Sequence, residues 1–307
     1  IKDYIFICIF LGNDFLPHLP SLSIKSGSIQ YLIDIYIKIF MDLNDYLVKQ
    51  NEINYIFLEY IFKKIASTED EKLKIINSKR RHFKINIDEN NKNSFNNKLI
   101  EHNYYPIINL DLEKKLDMGN IDWRERYYVN CFNYNSGKEF EIKKICHNYI
   151  QGLQWILLYY FDKCASWRWY YKYRNAPTAF DIYNYIKSNT YIKEINFDSN
   201  DKPYKPFDTL MFVLPYESRN LLPVSFRKLL TNIDTGISHY YPIDFQLDTI
   251  NKKFYWECIP ILPDIIPDKI IKEASKCDIL NIEQDRNING TDLKFIVNNK
   301  FSKSFAI

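Results

Sequence analysis

The chain has 307 residues, of which 46% are hydrophobic and 17% aromatic, enough apolar material for the cores of two domains. Its six cysteines form no Cys-x-x-Cys pair, which argues against a zinc knuckle or a disulfide framework and predicts reduced core thiols in an intracellular protein. The sequence contains no run of 18 apolar residues, so no membrane helix is predicted. A formal net charge of +3 says little about binding partners, so any nucleic-acid surface has to be identified from local clusters of basic residues.

The chain opens on an apolar run that predicts a buried helix. Residues 4–11 are apolar on every face, with Asp3 as the predicted N-cap and Gly12 as the predicted left-handed C-terminal residue. Asp14 follows in a turn that contains two prolines. A carboxylate on such a rigid turn can bind a hard cation such as Mg2+. The alternative is structural, because an Asp in an Asn-Asp turn commonly bonds its own neighbouring amides.

Two helices are predicted next, followed by a polar stretch. Residues 28–40 and 53–65 carry apolar side chains at helical spacing. Between residues 69 and 120 the sequence is rich in Asn, Asp, Glu and Lys. Such a composition buries little apolar surface, so we predict a linker over residues 78–120.

The sequence from residue 121 onward predicts a second ordered region. Residues 149–161 form an aromatic-rich helix in which Trp155 is assigned to the core. Residues 166–173 alternate aromatic and other side chains, which predicts an extended segment with Trp167 and Trp169 on one face. These two side chains either contact a ligand or lie in the core. The opposite face would carry three basic residues, Arg168, Lys172 and Arg174.

Several motifs, in their order along the chain, resemble those of the XRN-type 5′→3′ exoribonuclease family. The main ones are GNDFLPHLP at 12–20, YIQGLQWILLYY at 149–160, SWRWYY at 166–171 and Ala176-Pro177. Weaker matches follow at Pro206-Phe207, Val213-Leu214-Pro215, Leu222-Pro223, Tyr241-Pro242, Asp244-Phe245, Trp256 and Leu262-Pro263. The sequence departs from the family where Lys172 and Arg174 replace a common Pro and His.

The resemblance implies a mixed α/β fold that is predominantly helical in this segment. The tail of a PIN/FEN-like nuclease domain would be followed by a largely helical second conserved domain. The implied divisions are residues 1–77 for the C-terminal part of the catalytic domain, 78–120 for the linker, 121–277 for the second conserved region, and 278–307 for a polar C-terminal extension.

The resemblance also implies roles for the candidate residues. In the family, the Asp of the first motif is one of the acidic residues that bind two catalytic Mg2+ ions, which makes Asp14 the predicted metal ligand and catalytic residue. An aromatic residue of the second region stacks on the bases at the 5′ end of the substrate, a role that falls to Trp167 or Trp169. Phosphate contacts are predicted for the basic residues Arg168, Lys172 and Arg174.

The implied activity is Mg2+-dependent hydrolysis of single-stranded RNA with a 5′-monophosphate, which releases nucleoside monophosphates in RNA decay or processing. In the family most of the catalytic domain lies upstream of the matched segment. Because one carboxylate cannot hold two metal ions, we expect this segment to be inactive alone. No membrane partner is expected, and the motifs do not separate a cytoplasmic from a nuclear enzyme.

Two alternatives stay open at this point. The first is a catalytically inactive homologue that binds RNA or supports an assembly. The second is a related structure-specific DNA nuclease, against which the signature over residues 149–177 argues.

Overall fold

The computed structural model describes residues 1–86, 94–134, 139–188, 195–198 and 200–290. This part of the chain is predominantly helical, as predicted. Its helices are α1 (Lys2–Cys8), α2 (Ser28–Leu43), α3 (Tyr55–Arg81), α4 (Phe95–Asn103), α5 (Tyr105–Ile108), α6 (Asp111–Leu116), α7 (Trp123–Phe132), α8 (Glu139–Phe161), α9 (Ala179–Ser188), α10 (Pro206–Val213), α11 (Val224–Thr231), α12 (Pro267–Ala274) and α13 (Asn281–Arg286). None of the helices described is both long and apolar enough to cross a membrane.

The described residues also contain four short strands and several short 3-10 helices. Strands β1 (Val48–Lys49) and β2 (Glu52–Ile53) form an antiparallel hairpin in which Val48 lies opposite Ile53. Strands β3 (Gln246–Asp248) and β4 (Ile259–Ile261) pair with each other. Contacts divide the chain into two compact units, one of residues 1–202 with 247–260 and one of residues 203–246 with 261 onward.

The first predicted helix needs two corrections. It begins at Lys2 and gives way after Cys8 to a single 3-10 turn. Tyr4 is 50% exposed, so the helix is not buried on every face. The side of this segment that carries Phe6 and Phe10 faces the core instead. The Phe10 ring lies 5.8 Å from that of Phe6 and 5.2 Å from that of Phe62 on α3.

Asp3 does not cap this helix. Its buried carboxylate accepts hydrogen bonds from the Tyr36 hydroxyl (2.6 Å) and from the backbone N–H groups of Leu47 (3.0 Å) and Val48 (2.9 Å). A buried carboxylate is tolerated when it is fully hydrogen-bonded. Asp3 therefore joins α1 to α2 and to the β1 hairpin, contacts that lie too far along the chain for a capping rule to predict.

Helices α2, α3, α8 and α9 enclose the main core of the first unit. Helix α8 is mostly buried between Ile145 and Leu157, where most of its side chains are apolar, with Leu153, Trp155, Ile156 and Leu157 all buried. Trp155 thus lies in the core, as predicted, and is only 6% exposed. The helix begins at Glu139, ten residues before the start of the predicted segment 149–161.

The segment predicted as a polar linker differs from that expectation. Helix α3 continues to Arg81, and α4, α5 and α6 all fall within residues 78–120. Leu73 on α3 packs with Leu116, Met118 and Trp123 in a second, smaller cluster. A few apolar side chains spaced among polar ones are thus enough to cover the end of α3. Residues 87–93 of this segment lie outside the described residues.

The predicted division at 78–120 also does not separate the compact units, since residues 1–202 form one of them. Ion pairs contribute to this continuity. The Arg80 guanidinium donates to the buried Glu113 carboxylate at 2.6 and 2.8 Å, and Arg81 lies 2.8 Å from Asp117. These contacts join the end of α3 to α6.

A buried carboxylate also fixes α9. Glu69 on α3 accepts hydrogen bonds from the backbone N–H groups of Ala179 (2.9 Å) and Phe180 (3.2 Å), the first two residues of α9. Burial raises the pKa of Glu69 to about 7, although the two amides and Arg124, 3.7 Å away, act in the opposite direction. Glu69 thereby holds the start of α9, and the segment that leads into it, against α3.

The second unit has its own core. Helices α10, α11 and α12 bury Phe207, Met211, Phe226, Leu230 and Ile270. The predicted polar extension 278–307 contains α13, and its residues 291–307 lie outside the described residues.

Candidate active-site turns

The turn that carries Asp14 is fixed by the residue before it. The Asn13 side-chain oxygen accepts hydrogen bonds from the backbone N–H groups of Phe15 and Leu16, both at 2.9 Å, and the Asn13 N–H donates to the Leu16 carbonyl at 3.0 Å. Asn13 therefore makes the local amide bonds that were the structural alternative for Asp14. Asp14 itself is exposed, and among the described residues no group donates a hydrogen bond to its carboxylate.

The residues around Asp14 anchor this turn in the core. Leu16 and Leu19 are buried, and the Leu19 N–H donates to the Phe10 carbonyl at 3.0 Å. Gly12 has φ +89°, and a Cβ there would lie 3.0 Å from the backbone nitrogen of His18. Only glycine combines this backbone conformation with so close an approach. The Asp14 carboxylate is therefore presented on a rigid backbone.

His18 helps to close the turn from its far end. Its Nδ1 lies 2.9 Å from the Leu19 carbonyl oxygen, to which the ring N–H donates. Burial lowers the pKa of His18, and this outweighs the hydrogen bond to Leu19, which acts in the opposite direction. A neutral imidazole in this position is a structural partner of the turn.

Asp14 fits one position of a Mg2+ site. An available carboxylate is the oxygen ligand that this ion prefers. In the part of the chain that the structure describes, however, no group of three or more His, Cys, Asp and Glu side chains could hold a metal ion. The described residues therefore offer Asp14 as a single candidate ligand, without a second or third beside it.

The segment that carries the two predicted stacking residues is a turn at its start. The Ser166 hydroxyl oxygen accepts the Trp169 N–H at 2.9 Å. The Asp201 carboxylate accepts hydrogen bonds from the Ser166 hydroxyl and from the N–H groups of Trp167 (2.7 Å) and Arg168 (3.0 Å). Burial acts to raise the pKa of Asp201, but these hydrogen bonds outweigh it and lower that pKa below its usual range.

This turn separates the two tryptophans, so the prediction that they share a face is wrong. Trp167 is 56% exposed. Trp169 is half-buried and stacks on Trp155 with ring centroids 5.5 Å apart and planes 25° from parallel. The prediction assumed an extended backbone over residues 166–169, which the bonds to Asp201 replace by a bend. Trp167 is thus the tryptophan of this segment that offers a ring face to a ligand.

The extended pattern does hold from Trp169 onward. Tyr171 and Tyr173 point inward, with ring centroids 5.5 Å apart, while Lys172 and Arg174 are exposed. Arg174 also lines a pocket of about 380 Å3 beside Asn13 and His18. Among the predicted basic residues, Arg174 therefore lies next to the Asp14 turn.

Arg168 lies at the bend rather than on this extended stretch. Its backbone is bonded to Asp201, and its Nε donates to the Lys202 carbonyl at 3.3 Å. Its side chain is therefore held toward the segment that contains Asp201.

Helix α8 supports both turns. The Phe15 ring lies 5.0 Å from that of Trp155, and Trp155 in turn stacks on Trp169. Gly152 lies between the same two turns, because a Cβ there would be 2.7 Å from Leu16 Cδ2 and 2.9 Å from Trp169 Cη2. The absence of a side chain at this position lets both turns approach the helix.

Sequence reasoning missed three of these residues. The Asn-Asp pair contained a signal for Asn13, since either residue of such a pair can bond the following amides. Gly152 could have been noticed as a glycine inside a predicted helix, where it usually has a packing reason. No local pattern marks Asp201, which acts on residues more than 30 positions away.

The comparisons with known proteins cover nearly the whole chain. The family model described as the Xrn1 helical domain matches residues 1–115 and 109–307. The 5′-3′ exoribonuclease 2 of Gallus gallus is 28% identical over 96% of this chain, and its Drosophila melanogaster homologue is 28% identical over 97%. The 5′-3′ exoribonuclease 1 of Homo sapiens is 29% identical over 94% of the chain. The chain spans 37%, 37% and 18% of the length of these three relatives.

Proposed function

The chain belongs to the family of the Xrn1 helical domain, and on that premise we propose that it is part of a Mg2+-dependent 5′→3′ exoribonuclease. The proposed substrate is single-stranded RNA with a 5′-monophosphate, and the products are nucleoside monophosphates released in RNA decay or processing. The relatives that match nearly the whole chain are named 5′-3′ exoribonucleases, which supports the reaction class. The division of the chain that we propose treats residues 1–77 as the tail of a PIN/FEN-like nuclease domain.

The observation that supports the proposal most directly is the exposure and hydrogen bonding of Asp14. Asn13 satisfies the amides of the turn, and the exposed Asp14 carboxylate accepts no hydrogen bond from any described residue. Both of its oxygens are therefore available to a cation. The proposed role of Asp14 is to ligate one of two Mg2+ ions, together with carboxylates from the rest of the enzyme. Such ions, when bound, stabilise the charge that develops on the phosphodiester during its hydrolysis.

The remaining residues are proposed to hold the RNA. Trp167 offers an exposed ring on which a base can stack, and stacking of this kind tolerates any base. Arg168, Lys172 and Arg174 are proposed phosphate contacts, of which Arg174 lines the pocket beside the Asp14 turn. Trp169 takes the supporting role, since it stacks on the core residue Trp155.

The test compares this chain with the full-length enzyme. With Mg2+ and a 5′-monophosphorylated RNA, the 307-residue chain alone should release no nucleotides, because one carboxylate cannot hold two metal ions. The full-length enzyme should digest the same RNA from its 5′ end, and EDTA should stop it. An RNA with a 5′-hydroxyl end serves as the matched substrate and should be digested more slowly.

Three results would contradict the proposal in different ways. Digestion by the chain alone would mean that the active site lies within it and has been misplaced. RNA binding by the full-length protein without any release of nucleotides would favour an inactive binding homologue. Preferential cleavage of branched DNA would favour the structure-specific nuclease.

A further inference from the structure

Four aromatic rings form a row on the first unit, separate from the two turns described above. The Phe83 and Tyr104 rings lie 5.8 Å apart, and the Tyr104 and Phe254 rings lie 5.2 Å apart. Phe254 and Trp256 stack with centroids 5.9 Å apart and planes only 11° from parallel. Among the described residues no ring contact joins this aromatic row to the stack around Trp155.

The end of the row is open to solvent. Trp256 is 74% exposed although one side of its ring stacks on Phe254, and Phe83 at the other end is 38% exposed. Single exposed apolar residues are common on protein surfaces and need no explanation. A series of four contacting rings whose last ring is mostly exposed is different, because contiguous exposed apolar patches mark interaction sites.

Lysines accompany the rings. The Lys253 ammonium lies 4.7 Å from the Phe83 centroid and 5.2 Å from that of Phe254. Lys25 lies 5.8 Å from the Phe254 centroid and forms an ion pair with Glu257. In the part of the chain that the structure describes, no carboxylate lies within ion-pair distance of Lys253. Among the described residues, the two ammonium groups thus have one carboxylate at ion-pair distance, that of Glu257.

We propose that the aromatic row, with Lys25 and Lys253, is a second binding surface for single-stranded RNA outside the Asp14 turn. Exposed π-faces accept unpaired bases irrespective of sequence, while cations beside them neutralise the phosphates that connect those bases. A double helix keeps its bases stacked inside and offers none to such a row. The choice of RNA rather than DNA rests on the proposed function of the chain.

A protein partner is the competing occupant, since exposed aromatic residues also anchor peptides. The arrangement here favours the nucleic acid. The Trp256 ring lies nearly parallel to that of Phe254, as a stacked base would, and the ammonium groups of Lys25 and Lys253 lie beside the rings. Both features complement a polyanion with flat, stackable groups.

The test measures RNA binding by the 307-residue chain in EDTA, so that no hydrolysis can occur. A fluorescently labelled oligouridine reports the dissociation constant by anisotropy. Trp256→Leu should weaken binding by about 5-fold to 150-fold, the loss in affinity that corresponds to one base-stacking residue. The melting temperature should stay unchanged, since the Trp256 ring is mostly in solvent.

Phe140→Leu is the matched control. Phe140 is 68% exposed and has the Lys144 ammonium 4.5 Å from its ring centroid, but it has no ring contact with another described aromatic residue. This variant should bind the RNA as the wild type does. A second control is the same oligonucleotide with abasic sugars, for which wild type and Trp256→Leu should show equal affinity, because no base is left to stack.

Unchanged affinity for oligouridine in both Trp256→Leu and Lys253→Gln would overturn the proposal and leave the row as a surface for a protein. Equal weakening on the abasic strand would also overturn it, because the effect would then not be stacking. The proposed function is judged separately by nucleotide release in Mg2+. If the full-length enzyme released none, a Trp256-dependent binding result in EDTA would still stand.

Discussion

The Asp14 turn and the Trp167 turn each present one candidate side chain through the same kind of hydrogen bond, but they depend on different parts of the chain. In both, a polar side chain accepts a backbone N–H two or three residues ahead, so that the residue in between faces outward. Asn13 needs no further partner to hold Asp14. Ser166 and Trp167 are held by Asp201, which is 35 and 34 residues away. The proposed metal ligand is thus positioned locally, whereas the proposed stacking residue is positioned by tertiary structure.

The largest effect expected from this contrast is on Asp14. Asp14→Asn keeps the shape of the side chain but removes the anionic ligand, so nucleotide release by the full-length enzyme should fall by about 10³-fold or more. The unfolding free energy should change by less than about 0.5 kcal/mol, because Asp14 is exposed and does not hold the turn. Asp42→Asn, at another exposed aspartate, is the control. Retained activity would remove Asp14 from the metal site.

The two tryptophans provide the next test. Trp167→Leu should weaken RNA binding by about 1–3 kcal/mol with little change in melting temperature, because the ring is mostly exposed. Trp169→Leu should instead lower the unfolding free energy by about 2 kcal/mol, since it opens a cavity against Trp155. Melting curves and RNA titrations on both variants separate the two roles. The reverse pattern, a stability loss at Trp167 and an affinity loss at Trp169, would contradict the assignment.

The same contrast explains how far sequence reasoning reached. Helix α2 was predicted over 28–40 and extends over Ser28–Leu43, because helical spacing of apolar residues is a local signal. The Asp14 turn was likewise found from adjacent residues. The helices within the predicted linker at 78–120 and the bend at the start of the extended segment predicted over 166–173 were not foreseen, since Glu113, Leu116 and Asp201 act on residues distant in sequence. The composition of a segment and its hydrophobic periodicity carry no information about which distant residues will contact it.

The dependence of the Trp167 turn on a residue distant in sequence can be tested by replacing Asp201. Asp201→Ala leaves the N–H groups of Trp167 and Arg168 without their acceptor and should lower the unfolding free energy by about 1–2 kcal/mol. RNA affinity should fall as well, because Trp167 loses its fixed position. In a double-mutant cycle with Trp167→Leu, the two losses of affinity should be less than additive. Full additivity would mean that Asp201 does not act through Trp167.

Asp198→Ala is the matched control for that cycle. Asp198 is exposed and accepts a hydrogen bond from the N–H of Asn200, within the same stretch of chain. It has no described bond to the Trp167 turn, so its loss should leave RNA affinity unchanged.

The smallest expected effect tests the support that both turns share. Gly152→Ala would gain about 1 kcal/mol of helix propensity within α8. The added Cβ, however, would lie 2.7 Å from Leu16 and 2.9 Å from Trp169, and such overpacking typically costs about 1–3 kcal/mol. The net loss of unfolding free energy should therefore be about 1 kcal/mol.

Because the displaced side chains belong to the two turns, nucleotide release and RNA affinity should both fall, each by less than in the direct Asp14 and Trp167 variants. Gly290→Ala brings its new Cβ within 4 Å of no described residue other than its chain neighbours and should change neither. A Gly152→Ala variant that is more stable and fully active would show that Leu16 and Trp169 can shift to accept the methyl group without moving either turn. The hydrogen bonds of Asn13 and Asp201 would then position Asp14 and Trp167 without support from α8.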